Sequence, residues 1–344
     1  MKTKLKMIEE KEQYLSKVPK YPYHMVWHVT NLCNVHCQHC SSNAKSRLPD
    51  ELSPEEGIKL LDDLADAGVL DLSLSGGEAL LRDDIYDIIR YARRKNMNVG
   101  LGSSGSTVTE QSVKEMKKAG ITRVQISVDG LPYTHDVFRG LDGIFGRAMD
   151  AIEMLVENKI TTKVCFTANK LNYRQMDEVV DRVAAMGVST FNLSQYIPVG
   201  RGPKELDLST EEWKYVYERW VAKKNQYTKM MFTSHTDKLV LVDECYMEMP
   251  GFIGCQAGIG LGSIRANGDI IPCVFLPLKV GNIRDGSFKE IWDNSDVIKH
   301  LKDRDVEGHC GSCDFKYKCG GCRAAAYAYT GNYLAADDRC WGAK

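Results

Sequence analysis

Three cysteines near the start of the chain, Cys33, Cys37 and Cys40, have the spacing C-x3-C-x2-C and supply three thiolates on one short loop. A structural zinc site closes its tetrahedron with four protein ligands, whereas iron–sulfur clusters are held by cysteine thiolates. Three thiolates without a fourth beside them indicate a cluster that leaves one iron open. An open iron can bind a small molecule.

The segments around this loop predict the elements that position it. The apolar run 25–30 is typical of a strand, and the leucine spacing of 54–68, with Ser53 as the cap, predicts a helix. Strand-like and amphipathic segments then alternate to about residue 220. Further strands are predicted at 70–75, 98–101, 123–128, 162–167 and 190–195. This alternation favours an α/β fold with a parallel sheet of six strands.

Composition restricts the class of protein. The 344 residues carry a formal net charge of -1, and 43% of them are hydrophobic, which allows a sizeable core without implying a polyanionic partner. The sequence shows neither a membrane-spanning apolar stretch nor a signal peptide, so its 12 cysteines indicate metal binding rather than disulfides. We therefore expect a cytoplasmic protein that binds neither nucleic acid nor membranes.

With its strand, cysteine loop and helix, the chain resembles the radical S-adenosylmethionine (SAM) enzymes. The alternative, a zinc knuckle or unrelated core cysteines, does not explain this arrangement. The resemblance implies a partial (β/α)6 TIM-type barrel and a [4Fe-4S] cluster on Cys33, Cys37 and Cys40, whose open iron chelates SAM. It also implies reductive cleavage of SAM to a 5′-deoxyadenosyl radical that abstracts a hydrogen atom from the substrate. An electron donor such as flavodoxin or ferredoxin is then expected.

The predicted strand ends carry further motifs of this family. The Gly-Gly-Glu tripeptide follows the second strand, and the resemblance assigns it to the SAM amino group. The same resemblance places a serine turn, a Ser-Val-Asp segment, an arginine and a loop histidine near SAM, the arginine facing its carboxylate. Turn formation, capping or a surface ion pair is the alternative for each. The implied SAM-binding residues are Gly76, Gly77, Glu78, Ser104, Ser127, Asp129, Arg139 and His39.

Seven ordered cysteines in the last quarter resemble the SPASM domain, which houses auxiliary iron–sulfur clusters; the alternative is a zinc ribbon. By this resemblance, one auxiliary cluster is held by Cys310, Cys313, Cys319 and Cys340, and the other by Cys255, Cys273 and Cys322. Cys245 either completes the second set or is a core residue, and Cys165 is interpreted as a packing residue. The predicted divisions are an N-terminal extension (1–23), a barrel (24–235) and a SPASM domain (236–344).

The segment 319–331 narrows the resemblance to enzymes of the alternative haem and haem d1 pathways, which remodel tetrapyrrole side chains. It is similar, less closely, to maturases of ribosomal peptides of the mycofactocin and pyrroloquinoline quinone type. The expected substrate is therefore a tetrapyrrole or, alternatively, a ribosomal peptide. Arg201, Lys279 and Arg323 are candidate anchors for a substrate carboxylate. An iron–sulfur electron-transfer protein is the non-enzymatic alternative, but such a carrier has no use for the SAM motifs.

Overall fold

The computed structural model describes residues 4–342, with side chains from residue 8 onward. The parts of the predicted divisions at residues 1–3 and 343–344 lie outside this range. Within it, the strands are β1 (His24–Thr30), β2 (Asp71–Gly76), β3 (Asn98–Ser103), β4 (Arg123–Ser127), β5 (Thr161–Ala168), β6 (Thr190–Gln195), β7 (Met231–Ser234), β8 (Leu261–Ile264), β9 (Asp269–Ile271) and β10 (Gly281–Asn282).

The helices cover the outside of this sheet and the C-terminal region. They are α1 (Lys4–Leu15), α2 (Pro54–Asp66), α3 (Ile85–Arg94), α4 (Glu110–Ala119), α5 (Pro132–Arg139), α6 (Ile144–Glu157), α7 (Met176–Ala185), α8 (Thr210–Gln226), α9 (Cys245–Glu248), α10 (Phe288–Asn294), α11 (Asp296–Asp303), α12 (Gly308–Ser312) and α13 (Arg323–Thr330). No helix in the described part of the chain is long and apolar enough to cross a membrane.

The predicted six-stranded parallel core is confirmed, and the sheet extends beyond it at both edges. Its order is β10-β9-β8-β1-β2-β3-β4-β5-β6-β7, with parallel pairing from β8 through to β7. The additional strand β7 pairs with β6, and β8, from the C-terminal part, pairs with β1. Sequence patterns missed both because each is only four residues long.

Local signals explain the helices that flank the cysteine loop and the strands. Helix α2 begins with Pro54 and a capping box in which Ser53 and Glu56 bond each other's backbone amides. Its buried face consists of Leu60, Leu61 and Leu64, which join the main hydrophobic core against the strands. The helix is therefore fixed both at its start and along one side.

Side chains alternate between two faces of the strands. On β1, Trp27 is buried in the outer, helix-covered core. On the inner face, Arg123 of β4 donates to Ser73 of β2 at 3.1 Å, although β3 lies between these strands. The guanidinium crosses over Gly100 of β3, where an added Cβ would lie 2.8 Å from it. The inner face is thus a concave lumen with small or polar residues, including Ser73, Ser75, Gly100, Gly102, Arg123, Gln125, Ser127, Lys163 and Cys165.

We predict that the packing of β8 against β1 requires a small residue at position 262. A Cβ added to Gly262 would lie 2.7 Å from the Met25 sulfur of β1 and 2.9 Å from the Trp292 ring. Overpacking a filled core costs about 1–3 kcal/mol. Gly262→Ala should therefore lower the thermal unfolding midpoint by a few degrees. Gly286→Ala is the matched control, because its Cβ meets only a Glu290 carboxylate oxygen at 3.5 Å; equal midpoints for both variants would contradict the packing of β8 on β1.

Candidate active site and auxiliary cluster sites

The cysteine loop lies at the carboxyl end of β1 and is held by backbone contacts from distant segments. The amide of Gln38 donates to Phe138 O of α5 at 3.0 Å, and the amide of Arg201 donates to Cys40 O at 3.1 Å. The Arg201 side chain reaches the same loop, donating from Nε to Cys37 O (3.2 Å) and from Nη1 to Ala44 O (2.8 Å). The loop is therefore fixed by the ends of several barrel elements.

Two glycines allow this close approach of backbones. At Gly77, after β2, an added Cβ would lie 2.0 Å from Leu32 O. At Gly200, after β6, it would lie 2.3 Å from Cys40 O, and the residue has a left-handed φ of 62°. Side chains at these two positions would push the cysteine loop away from the barrel.

The three loop thiols lie near one another, and two of them, Cys33 and Cys37, are desolvated. Burial, with smaller contributions from the neighbouring thiols and Glu78, raises the pKa of Cys33 to about 11. Burial likewise raises the pKa of Cys37, and Arg139 opposes this effect. The Arg139 Nη1 atom lies 3.6 Å from the Cys37 sulfur. Cys40 accepts the Ala44 amide at 3.3 Å. Thiolates in such surroundings require a strong positive charge, which metal ions supply.

An ion pair within the protein connects this loop to the barrel. Arg139 donates from Nε to Asp129 Oδ2 at 2.6 Å, and Asp129 Oδ1 accepts the Thr167 amide at 2.6 Å. Asp129 is fully buried and Arg139 is 8% exposed. Burial alone would lower the pKa of Arg139, but Asp129 and Cys37 raise it, so the guanidinium stays charged. Both carboxylate oxygens of Asp129 therefore accept hydrogen bonds from the protein. Asp129 acts on a bound ligand indirectly, by positioning Arg139.

Glu78 lies between β2 and β3 with one oxygen unused. Its Oε2 accepts from the amide (3.0 Å) and hydroxyl (2.8 Å) of Ser104. The Ser104 hydroxyl also contacts Ser106, which donates to Asn34 of the cysteine loop at 3.0 Å. The other oxygen, Oε1, is buried and has no hydrogen-bond partner among the described residues. An ammonium donor would satisfy it.

The remaining predicted residues lie near this group. His39 stacks on Phe138 with ring centroids 4.2 Å apart and planes 4° apart. Burial, together with Arg139 and Arg201, lowers the pKa of His39, so its ring is neutral. Ser127 is half-buried on the lumen face at the end of β4, in register with Cys165 of β5. Cys165 accepts the Asn192 amide at 3.3 Å, which agrees with a packing role.

Four thiols in the C-terminal part line one cavity of about 270 Å³, far above the ~15 Å³ that one water needs. They are Cys310, Cys313, Cys319 and Cys340. Backbone amides donate to three of these sulfurs, from Asp337 to Cys310 (3.4 Å), from Phe315 to Cys313 (3.3 Å) and from Lys238 to Cys319 (3.3 Å). Hydrogen bonds to sulfur of this kind are among the features that set cluster potentials.

The second set of cysteines is also clustered. The charge of Cys255 contributes to the raised pKa of both Cys273 and Cys322, behind the larger effect of burial. Cys245 is exposed at the start of α9 and contacts Lys224 at 3.7 Å, so its interpretation as a core residue is wrong. Among the described residues, no three His, Cys, Asp or Glu side chains converge as ligands of a single metal ion do. Cluster ligands bind separate irons.

A buried ion pair connects the two auxiliary sets. Lys238 Nζ donates to Asp337, whose Oδ2 also accepts the Cys322 amide at 3.0 Å. Lys238 has a left-handed φ of 65°, rare for a residue with a side chain, and its amide is the donor to Cys319. Burial acts to raise the pKa of Asp337, but Lys238 and Arg339 lower it strongly. One ion pair thus touches ligands assigned to both auxiliary clusters.

The three candidate substrate anchors all have protein partners. Arg201 bonds the cysteine loop as described. Lys279 is exposed and pairs with Asp269 at 2.6 Å. Arg323 is 1% exposed and donates to Tyr333 O (3.0 Å) and Ala335 O (2.7 Å), which fixes it inside the C-terminal region. Whether one of these residues anchors a substrate carboxylate stays a prediction.

Glu51 is a positioning residue that the sequence did not reveal. Its carboxylate accepts from Thr30 Oγ1 (2.9 Å), the Asn31 amide (2.6 Å) and the Leu48 amide (3.1 Å), which fixes the entry to the cysteine loop. No local pattern distinguishes this glutamate, because its partners at the entry to the loop, Thr30 and Asn31, lie about 20 residues earlier.

Comparison with known proteins decides the family. Residues 27–183 match the radical SAM superfamily, and residues 255–314 match the SPASM iron-sulfur cluster-binding domain. The chain is 31% identical over 336 residues to an AdoMet-dependent heme synthase of Methanosarcina barkeri, covering 93% of this chain and 96% of that protein. The chain belongs to the radical SAM superfamily.

Other relatives of this radical SAM enzyme include peptide maturases. It is 29% identical to the mycofactocin maturase of Mycolicibacterium smegmatis, over 94% of this chain and 84% of that protein. The fold matches Streptococcus suis SuiB bound to S-adenosylmethionine, with a TM-score of 0.78 at 18% identity, over 98% of this chain and 82% of that chain. The prediction of radical SAM and SPASM domains, with haem-type and peptide-maturing relatives, is confirmed.

The cofactors of the enzyme follow from its domains: a [4Fe-4S] cluster with SAM, and auxiliary iron–sulfur clusters. The described residues fit these groups. The loop thiols lie together, and burial raises the pKa of Cys33. Glu78 Oε1 is buried and has no hydrogen-bond donor among the described residues. Four thiols of the C-terminal part line one cavity.

We predict that the Lys238–Asp337 pair stabilises the auxiliary region. Asp337 pairs with both Lys238 and Arg339, and Asp237 remains 2.9 Å from Lys238 when Asp337 is neutralised. Removing one partner of a buried ion pair costs up to about 3–5 kcal/mol, so Asp337→Asn should lower the thermal unfolding midpoint and the iron content of anaerobically reconstituted protein. Asp243→Asn is the matched control, because Asp243 pairs with Lys224 near the surface. Equal midpoints and iron contents in the two variants would contradict this role.

Proposed function

We propose that this radical SAM enzyme removes or remodels a carboxylate side chain of a tetrapyrrole in haem-type cofactor biosynthesis. The observation that carries the proposal is the similarity to a heme synthase along nearly the whole of both chains. The segment 319–331 and the polar residues of the lumen support it, because a tetrapyrrole with carboxylate arms is itself polar.

When bound, SAM and its cluster supply a 5′-deoxyadenosyl radical that takes a hydrogen atom from the substrate. We assign the cluster ligands to Cys33, Cys37 and Cys40. Glu78, held by Ser104, accepts from the SAM amino group through its free Oε1. Gly76 and Gly77 allow the backbone to approach.

Three further residues complete the proposed SAM site. Arg139, fixed by Asp129, presents its charge to the SAM carboxylate beside Cys37. Ser127 faces the lumen at the strand end. The stacked rings of His39 and Phe138 close one side of the site and exclude water from it.

For the auxiliary clusters, we assign Cys310, Cys313, Cys319 and Cys340 to one and Cys255, Cys273 and Cys322 to the other. A flavodoxin- or ferredoxin-like donor supplies the electrons, and the enzyme works in the cytoplasm. The barrel is assigned to 24–235 and the SPASM domain to 236–344, after the extension 1–23.

The second candidate function is maturation of a ribosomal peptide by crosslinking, decarboxylation or epimerisation. The observation that favours it is the similarity to a mycofactocin maturase over 94% of this chain. The same lumen and the same SAM site would serve that chemistry, so only the substrate separates the two candidates.

The first functional prediction tests SAM cleavage. Each thiolate of the loop holds one iron, so Cys33→Ala should abolish formation of 5′-deoxyadenosine by the reduced, reconstituted enzyme. The exposed Cys245 provides the matched control, and Cys245→Ala should retain the activity. Undiminished 5′-deoxyadenosine in Cys33→Ala would reject the assignment, and its absence from the wild type would favour an electron-transfer protein.

The second functional prediction tests the substrate. Iron coproporphyrin should bind with a shift of its visible absorption, and loss of side-chain mass should require both SAM and reductant. The control is the same mixture without SAM. If the tetrapyrrole neither binds nor changes, whereas a peptide encoded beside the gene gains a crosslink or loses a fixed mass, the peptide-maturase alternative replaces this proposal.

A further inference from the structure

Lys163 on β5 is a basic residue of the barrel interior. The alternation of β5 buries Val164 and Phe166 in the outer core and places Lys163 on the inner face, with Cys165. Among the described residues, Lys163 has no ion pair and no hydrogen bond from its ammonium group. The residue as a whole is half-buried.

The other charged groups on this face do not neutralise it. Arg123 of β4 already pairs with Asp71 of β2 at 2.7 Å and bonds Ser73. His24 of β1 contacts the same serine at 3.0 Å, and burial lowers its pKa. Burial also lowers the pKa of Lys163 against the opposing effect of Cys165, and Arg123 lowers it further against a smaller effect of Asp71. The lumen therefore holds a partly desolvated basic group that forms no ion pair of its own among the described residues.

The position of Lys163 relates it to the reaction site. It lies in register with Gln125 of β4, and Cys165, two residues later, is in register with Ser127. Two residues of strand span about 6.6 Å. The backbone of Lys163 therefore lies one layer below the strand end at which we place SAM. On the nearby β3, Gly102 has no side chain, which leaves room in the same layer.

Placing a charged group in poorly solvated surroundings without a partner is unfavourable, and such groups concentrate at functional sites. We propose that Lys163 binds a carboxylate of the substrate inside the barrel. This inference rests on the proposed function, because a tetrapyrrole presents carboxylate arms. It adds Lys163 to the three candidate anchors, each of which has protein partners.

The test compares iron coproporphyrin with its methyl ester, which lacks the carboxylate charges, by absorption titration of the reconstituted enzyme. A hydrogen bond to a charged group contributes about 1.5–3 kcal/mol. Lys163→Met should therefore weaken binding of the acid about 10- to 100-fold and leave binding of the ester nearly unchanged. Lys163→Arg should retain the preference for the acid. Lys114→Met on the surface of α4 is the matched control and should bind both forms as the wild type does.

The thermal unfolding midpoint distinguishes substrate binding by Lys163 from a structural role of this residue. Because Lys163 lacks a partner, Lys163→Met should leave the thermal midpoint of the ligand-free protein unchanged or raise it. Equal binding of the acid by wild type and Lys163→Met would overturn the anchor and leave the proposed function standing. Equal weakening of acid and ester, or a lowered midpoint, would also overturn it. If the wild type binds neither form, the proposed function fails and the anchor fails with it.

Discussion

The cysteine loop has almost no regular secondary structure, so its backbone amides and carbonyls must find partners outside a helix or sheet. They find them on the barrel: Gln38 bonds the end of α5, Cys40 bonds the segment after β6, and Leu32 bonds Glu78 after β2. This requirement explains why residues from four parts of the sequence meet at one place. It also explains why glycines stand at 77 and 200, where backbones touch.

A carboxylate compensates the charge of a buried cation both at the cysteine loop and at the auxiliary cysteines. Near the cysteine loop, Asp129 holds Arg139 against Cys37; near the auxiliary cysteines, Asp337 holds Lys238 beside Cys319 and Cys322. In each case a carboxylate keeps a buried cation charged close to thiols that burial makes reluctant to ionise. Iron–sulfur clusters bound to thiolates carry negative charge into the protein, so a fixed cation nearby is a favourable neighbour.

Local sequence patterns predicted the six core strands of the barrel but not the side-chain contacts between distant segments. Helix α2 begins at Pro54 as predicted, because Ser53 caps it and its leucines bury one face against the strands. The partners of buried charges follow no such rule. Lys238 and Asp337 are 99 residues apart, and only the fold brings them together. The same applies to the three candidate anchors, because the partners of these basic residues in the fold could not be read from the sequence: Arg201, Lys279 and Arg323.

The basic side chains near the cysteines and in the lumen differ in how the protein compensates their charge. Around the cysteines, Arg139, Lys238 and Arg339 pair with carboxylates, and Arg323 bonds backbone carbonyls. Inside the barrel, Arg123 pairs with Asp71, whereas Lys163 has neither an ion pair nor a hydrogen bond among the described residues. Placing a charged group in poorly solvated surroundings without a partner costs free energy. A substrate carboxylate would supply the missing negative charge and offset this cost, which is why we place it at Lys163.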